Sequence, residues 1–163
     1  MNCSFRKDGS TLFEQIDSFL VEVLLEPFCN KRISMDIIDD YFLQKITKQD
    51  PLFSQDWRDY VAPELQALFT ACHHQVLLDL KALSHSSSPN GHYTLIIPPE
   101  HRDAWLRTLS IIRLLLFSRH GIKGEKREEE DLEKLSVLQR RVLLQLELFA
   151  LIQQCLLEAE AQG

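Results

Sequence analysis

The chain has 163 residues, 45% of them hydrophobic and 26% charged. That balance excludes global disorder and suits one domain with a sizeable core. A net charge of −6 argues against a broad phosphate-binding surface, and five glycines with six prolines are too few for a turn-rich β-sandwich.

Cys3 to Arg6 predicts a short edge strand, followed by a turn at Lys7-Asp8-Gly9. Thr11 and Glu14 have capping-box spacing, in which hydroxyl and carboxylate each satisfy an exposed amide at a helix start. The helix expected from there carries Leu12, Ile16, Phe19, Leu20, Val23 and Leu24 on one face, with Asp17, Glu22 and Glu26 toward water. Pro27 predicts its end at Glu26. A second helix is expected from Ser34 to Lys48, then a loop from Gln49 to Ser54. Gln55 to Val61 reads as a helical turn that puts Trp57 and Tyr60 on the core. Pro63 suits the first turn of a long helix. Leu65, Phe69, Cys72, Val76, Leu80 and Leu83 carry it to about Leu83 by steps of three and four.

Ser84 to Asn90, SHSSSPN, reads as a loop. Tyr93 to Ile97 is short, β-branched and apolar, and Pro98 bars its continuation, so it predicts a strand. Its expected partner is Cys3 to Arg6, in a two-stranded ribbon beside a central helix. That helix spans His101 to His120, with Trp105, Leu109, Ile112 and Leu116 at helical spacing and Leu106, Leu114 and Leu115 widening the stripe. Ile122 to Asp131 mixes charges of both signs and reads as a solvated loop and helix start. The last helix is expected from roughly Glu129 to Ala159, with Leu132, Leu135, Leu138, Val142, Leu146, Phe149, Ile152 and Leu156 in register. The fold class is therefore mostly α: a single domain over 1–163, a bundle of about five helices with a minor two-stranded β-ribbon.

Arg113 contradicts the apolar surroundings of the central helix. Arginine stays charged and must be paired when buried. It serves either as a cation in a groove for an acidic partner, or as a fork to a carboxylate of the same domain. Asp39, Asp40, Asp56, Glu64 and Asp79 are the acids available. The four cysteines, Cys3, Cys29, Cys72 and Cys155, form no CxxC pair, which excludes a zinc ribbon. They read as inert core thiols, although spacing alone leaves a redox-sensing pair open. His73 and His74 are adjacent and point about 100° apart on a helix, so they cannot readily chelate one metal. No Glu-x-x-His, GxSxG or phosphate-cradling glycine loop occurs. No metal, cofactor or catalytic residue is expected.

The opening MNCSFRKDG has no apolar core of a signal peptide. Arg113, Gln145 and Glu147 interrupt the apolar runs short of the ~18 residues of a membrane span. A cytoplasmic chain without a membrane association is the expectation.

From Pro99 the chain reads Pro-Glu-His-x-x-x-Trp-Leu-x-x-Leu-x-x-x-Arg-Leu-x-Leu-x-x-Arg-x-Gly-Ile. Glu100, Trp105, Leu106, Leu109, Arg113, Leu114, Leu116, Arg119, Gly121 and Ile122 carry that pattern. In this it resembles a bacterial family of domains of unknown function, number two thousand and seventeen. Asp50-Pro51 with the helix that follows, and Phe5-Arg6-Lys7-Asp8-Gly9 with its amphipathic sequel, resemble the family's other sections. The family usually has an amide residue three positions before the arginine, and Ser110 stands there. The resemblance implies a small helical cytoplasmic regulator, often encoded near the adaptor of the Clp protease, with no established reaction.

These readings lead to a non-catalytic regulatory or adaptor protein that binds another protein or its own copy, and not nucleic acid. A link to proteolysis or stress response is implied only by the family's neighbourhood. Its expected surface lies on the last helix, where Leu143, Leu144, Leu148, Leu151 and Leu157 fall off the main stripe. Two core helices flanking that helix would account for the same pattern. The alternative is a ligand-binding or redox enzyme with a pocket near Arg113 and Trp105.

Overall fold

A computed structural model describes residues 1–29, 55–85, 91–120 and 135–161. The expected helix from Ser34 to Lys48, the loop from Gln49 to Ser54, Asp39, Asp40 and the charged run after Gly121 lie outside the described residues. Among those described, four α-helices pack with one antiparallel sheet: α1 Ser18–Cys29, α2 Ala62–Lys81, α3 Arg102–His120 and α4 Val137–Ala161. The strands are β1 Asn2–Phe5, β2 Thr11–Ile16, β3 Ser84–His85 and β4 Tyr93–Ile97, in the spatial order β1-β2-β4-β3.

The mostly helical class holds, but the ribbon is a four-stranded sheet and β1 does not pair with β4. β2 stands between them, where a helix start was expected. The cause is a bulge. Phe13 pairs with Leu95 and Ile16 with Tyr93, so one extra residue lies between them, and Gln15 takes a positive φ of 55°. Phe13 and Ile16 therefore both reach the inner face, three residues apart, which imitates helical spacing. Thr11 caps nothing and is wholly buried opposite Ile97. The helix start lies at Asp17, whose Oδ1 accepts from the Leu20 amide at 2.8 Å.

The β1–β2 turn closes around Gly9, whose φ of 82° favours glycine. Arg102 reaches back to donate to the Gly9 carbonyl at 3.1 Å, tying this turn to the start of α3. Ser84 and His85, expected in a loop, pair with Thr94 and Tyr93 as the far edge of the sheet.

α1 continues through Pro27 to Cys29 instead of stopping at Glu26. Proline lacks the amide that would bond to the carbonyl of Val23. The Gln145 amide of α4 donates to that carbonyl at 3.5 Å and to Glu26 Oε2 at 2.8 Å. Arg141 adds a bond to the same Glu26 oxygen at 2.6 Å. Another helix thus supplies a donor where proline removed one.

Residues 57–61 form a π-turn that runs into α2, with the Ala62 amide bonded to the Trp57 carbonyl. A wider turn just before Pro63 eases the clash of its ring with the preceding carbonyls. Trp57 is half-buried and Tyr60 is 72% exposed, so neither enters the core as expected. α3 matches its expected range almost to the residue and packs between α2 and α4.

α4 begins at Val137 behind a capping box made by Ser136 and Gln139, later than the expected start at Glu129. It packs against both α1 and α3, which buries two of its faces. Despite Gln145 and Glu147, this helix is long and apolar enough to cross a membrane; 56% of its most apolar window is buried within the fold.

Phe28 stacks on His73 with ring centroids 5.7 Å apart, and Phe69 leans on the same imidazole at 6.0 Å. Burial, with the neighbouring His74, holds His73 below its ordinary pKa. Protonation is thus harder in the folded state than in the unfolded chain, so this contribution to stability is present above the ordinary value and lost as pH falls below it. Stability measured by urea titration should drop as pH descends from 6.5, and His73→Phe should flatten that drop. Gln145→Ala should cost about 1–3 kcal/mol in the same assay. Pro27→Ala should recover more stability in the Gln145→Ala background than in the wild type, because the new amide bonds to the Val23 carbonyl. Equal recovery in both backgrounds would show that Gln145 does not serve that carbonyl.

Candidate functional site

Near the carboxyl end of α2 and the amino end of α3, three side chains meet around one carboxylate. Asp79 is only 9% exposed, on the buried side of α2 with Val76 and Leu80. Its Oδ2 accepts from the indole Nε1 of Trp105 at 2.7 Å. Its Oδ1 lies 3.0 Å from His101 Nδ1 and accepts from Gln75 Nε2 at 3.2 Å. A buried carboxylate needs several donors to replace the water it has lost, and these three supply them.

With Nδ1–H turned to Asp79, a neutral His101 presents the lone pair of Nε2 away from the carboxylate. The His101 side chain is 26% exposed. No serine or cysteine side chain bonds to the ring among the described residues. Nor do the described residues gather three His, Cys, Asp or Glu side chains able to hold a metal.

Arg113 belongs to a second cluster on a different side of α3. Instead of a carboxylate, its guanidinium donates to the neutral side-chain oxygen of Gln153 on α4. Gln153 Nε2 in turn donates to Ser110 Oγ at 2.8 Å and to the Leu106 carbonyl at 3.1 Å, while Ser110 Oγ donates to the same carbonyl at 2.7 Å. Ser110 thus takes part in the network.

Of the acids available to Arg113, Asp39 and Asp40 lie outside the described residues, and among the described residues its bond goes to Gln153. Asp79 is committed to Trp105 and His101, whereas Arg113 faces α4. Arg113 as a residue is half-buried. Trp105, at 0% exposure, bonds to α2, whereas Arg113 bonds to α4.

The expected partner surface on α4 also changes. Leu148 is 7% exposed and lies in the core, Leu143 and Leu144 are half-buried against it, and only Leu151 of those four is exposed. Contacts with α1 and α3 account for the residues that fell off the main stripe. Sequence reasoning missed the role of Asp79, although a carboxylate seven residues from Cys72 and three from Val76 on an apolar stripe was its signal.

A helical domain whose helices are braced by buried polar clusters and backed by a small antiparallel sheet is the class this architecture defines. Over residues 34–160 the chain matches the family described as domain of unknown function, DUF2017. The match covers well over half of the sequence, and the chain belongs to that family. No curated protein and no solved structure matches it.

Asp79→Ala should lower stability by about 1–3 kcal/mol, because it strands the buried indole N–H and leaves His101 without its acceptor. A double-mutant cycle with Trp105→Phe should give a coupling of ~0.5–3 kcal/mol. Arg113→Leu should cost less than the ~3–5 kcal/mol expected when a buried ion pair is broken. Additive effects of Asp79→Ala and Trp105→Phe in urea titrations would refute the brace.

Proposed function

We propose that this chain is a non-catalytic regulatory or adaptor protein that binds another protein through the amino-terminal half of α2. The carrying observation is an apolar stripe at the surface. Val61, Leu65 and Leu68 recur at intervals of four and three residues, so they share one helical face, and all are exposed. Tyr60 adds a large aromatic ring beside them. Aromatic and aliphatic side chains of this kind form the centre of protein interfaces, and exposed Asp56, Asp59 and Glu64 supply a polar rim. A partner with apolar anchors and flanking basic residues complements that chemistry.

The polar clusters support the same reading, since Trp105 bonds to Asp79 and Gln153 to Ser110 across helices. On α4, Leu151 and Leu157 are exposed but six positions apart, which separates them by about 120° around the helix. They form a weaker continuous surface than α2. A role in proteolysis or stress regulation rests on the family's genomic neighbourhood and is the narrower form of this proposal.

A ligand-binding protein or redox enzyme is the second reading. The observation favouring it is His101, whose Nδ1 is fixed by Asp79 while the side chain is partly open to solvent. A small molecule recovered stoichiometrically with purified protein and lost in His101→Ala would favour it over the adaptor reading.

The adaptor reading is tested by quantitative affinity capture from lysate with wild type, Leu65→Glu/Leu68→Glu and Leu151→Glu as baits. One protein should be recovered near stoichiometry by wild type and Leu151→Glu, and lost with the double variant while its melting temperature is kept. Recovery unaffected by the double variant, or no enrichment with wild type, would remove the α2 surface from consideration.

A further inference from the structure

The edge of the sheet places a solvent-accessible thiol beside a buried one. Cys3 on β1 pairs directly with Phe13, and Phe13 pairs with Leu95, so the three side chains form one row on the same face of the sheet. Phe13 and Leu95 are buried in the main core, and Cys155 of α4 belongs to that same core cluster. Cys3 therefore points inward from the edge, toward the layer that contains Cys155, while retaining access to solvent. The Cys155 thiol lies near enough to Cys3 to raise its pKa. Neither is engaged in a disulfide.

We propose that Cys3 and Cys155 are a modification site that closes to an intramolecular disulfide on exchange with a low-molecular-weight disulfide, joining β1 to α4. Exposure sets the order of events. The Cys3 thiolate attacks the reagent RSSR, forming a Cys3–S–S–R bond and releasing one RS⁻. The Cys155 thiolate then attacks the Cys3 sulfur, forming Cys3–S–S–Cys155 and releasing the second RS⁻. The protein loses two hydrogens in all, and RSSR is reduced to two RSH. Burial comes first among the influences on Cys3, followed by Cys155 and the carboxylate of Glu158, and together they push its thiol up to about 12. Few thiolates are present at neutral pH, so the pair closes slowly under sustained oxidation instead of acting as a rapid sensor.

The bond would enclose nearly the whole chain, and long loops restrict the unfolded ensemble most. The test incubates the full wild-type chain with oxidised glutathione at neutral pH for hours, blocks remaining thiols with an alkylating reagent under denaturing conditions, and maps the peptides by mass spectrometry. A peptide linking Cys3 to Cys155 is expected, with a melting temperature that rises and returns on reduction. Cys155→Ser should instead retain glutathione on Cys3, and Cys3→Ser should leave Cys155 unmodified. A stable glutathione adduct on wild-type Cys3 with Cys155 still free would overturn the proposal. So would a Cys3 linkage to another chain or to a different cysteine, or no modification at all under conditions that fully oxidise a small exposed-thiol peptide.

Discussion

A carboxylate taken out of water has to find donors, and the place where it finds them fixes the elements that carry those donors. Asp79 accepts from Trp105 near the start of α3, from His101 in the turn just before that helix, and from Gln75 one turn before it on α2. These bonds set both the height and the rotation of α2 against α3. Hydrophobic packing alone tolerates small slips between two leucine-rich helices, whereas a buried indole N–H aimed at a carboxylate oxygen does not. Since α3 also carries Arg102, which holds the β1–β2 turn through Gly9, the position of the sheet follows from the same junction.

The last helix solves a related problem with amides. Its composition is apolar enough that Gln145 and Gln153 look like interruptions. Each instead answers a polar group on a different neighbour: Gln145 the Val23 carbonyl and Glu26 of α1, Gln153 the Arg113 guanidinium, Ser110 and the Leu106 carbonyl of α3. Glutamine serves because it donates and accepts at once without the desolvation cost of a charge. The two amides thereby orient two faces of α4, and the leucines around them are drawn into the core on both sides.

How much of this was legible depended on whether one segment's own pattern decided its structure. α3 was read almost to the residue because its apolar stripe is wide and its ends carry Pro98-Pro99 and Gly121. β4 was legible for the same reason, from β-branched residues bounded by Pro98. β2 was not, because the bulge at Gln15 replaces period-two alternation with a spacing of three between Phe13 and Ile16. The end of α1 was misplaced because the donor that lets it pass Pro27 comes from Gln145, 118 positions further along the chain. The bond from Arg113 to Gln153 was not legible, because a cation in an apolar helix directs attention to the acids. Which side of α3 it faces, and that an amide meets it there, are tertiary facts.

The pairing of distant segments bears on how this chain reaches its structure. β2 is held by β4, roughly eighty residues later, and α1 is clamped by Arg141 and Gln145 of the final helix. The opening hairpin and α1 therefore have no complete binding surface of their own while the chain is being synthesised. β2 waits for β4 beyond the middle of the chain, and the clamp on α1 waits for the final helix. Such non-local closure slows folding and prolongs the exposure of unpaired strand edges. The order in which the ribosome releases the chain is thus opposite to the order in which its first residues can be stabilised.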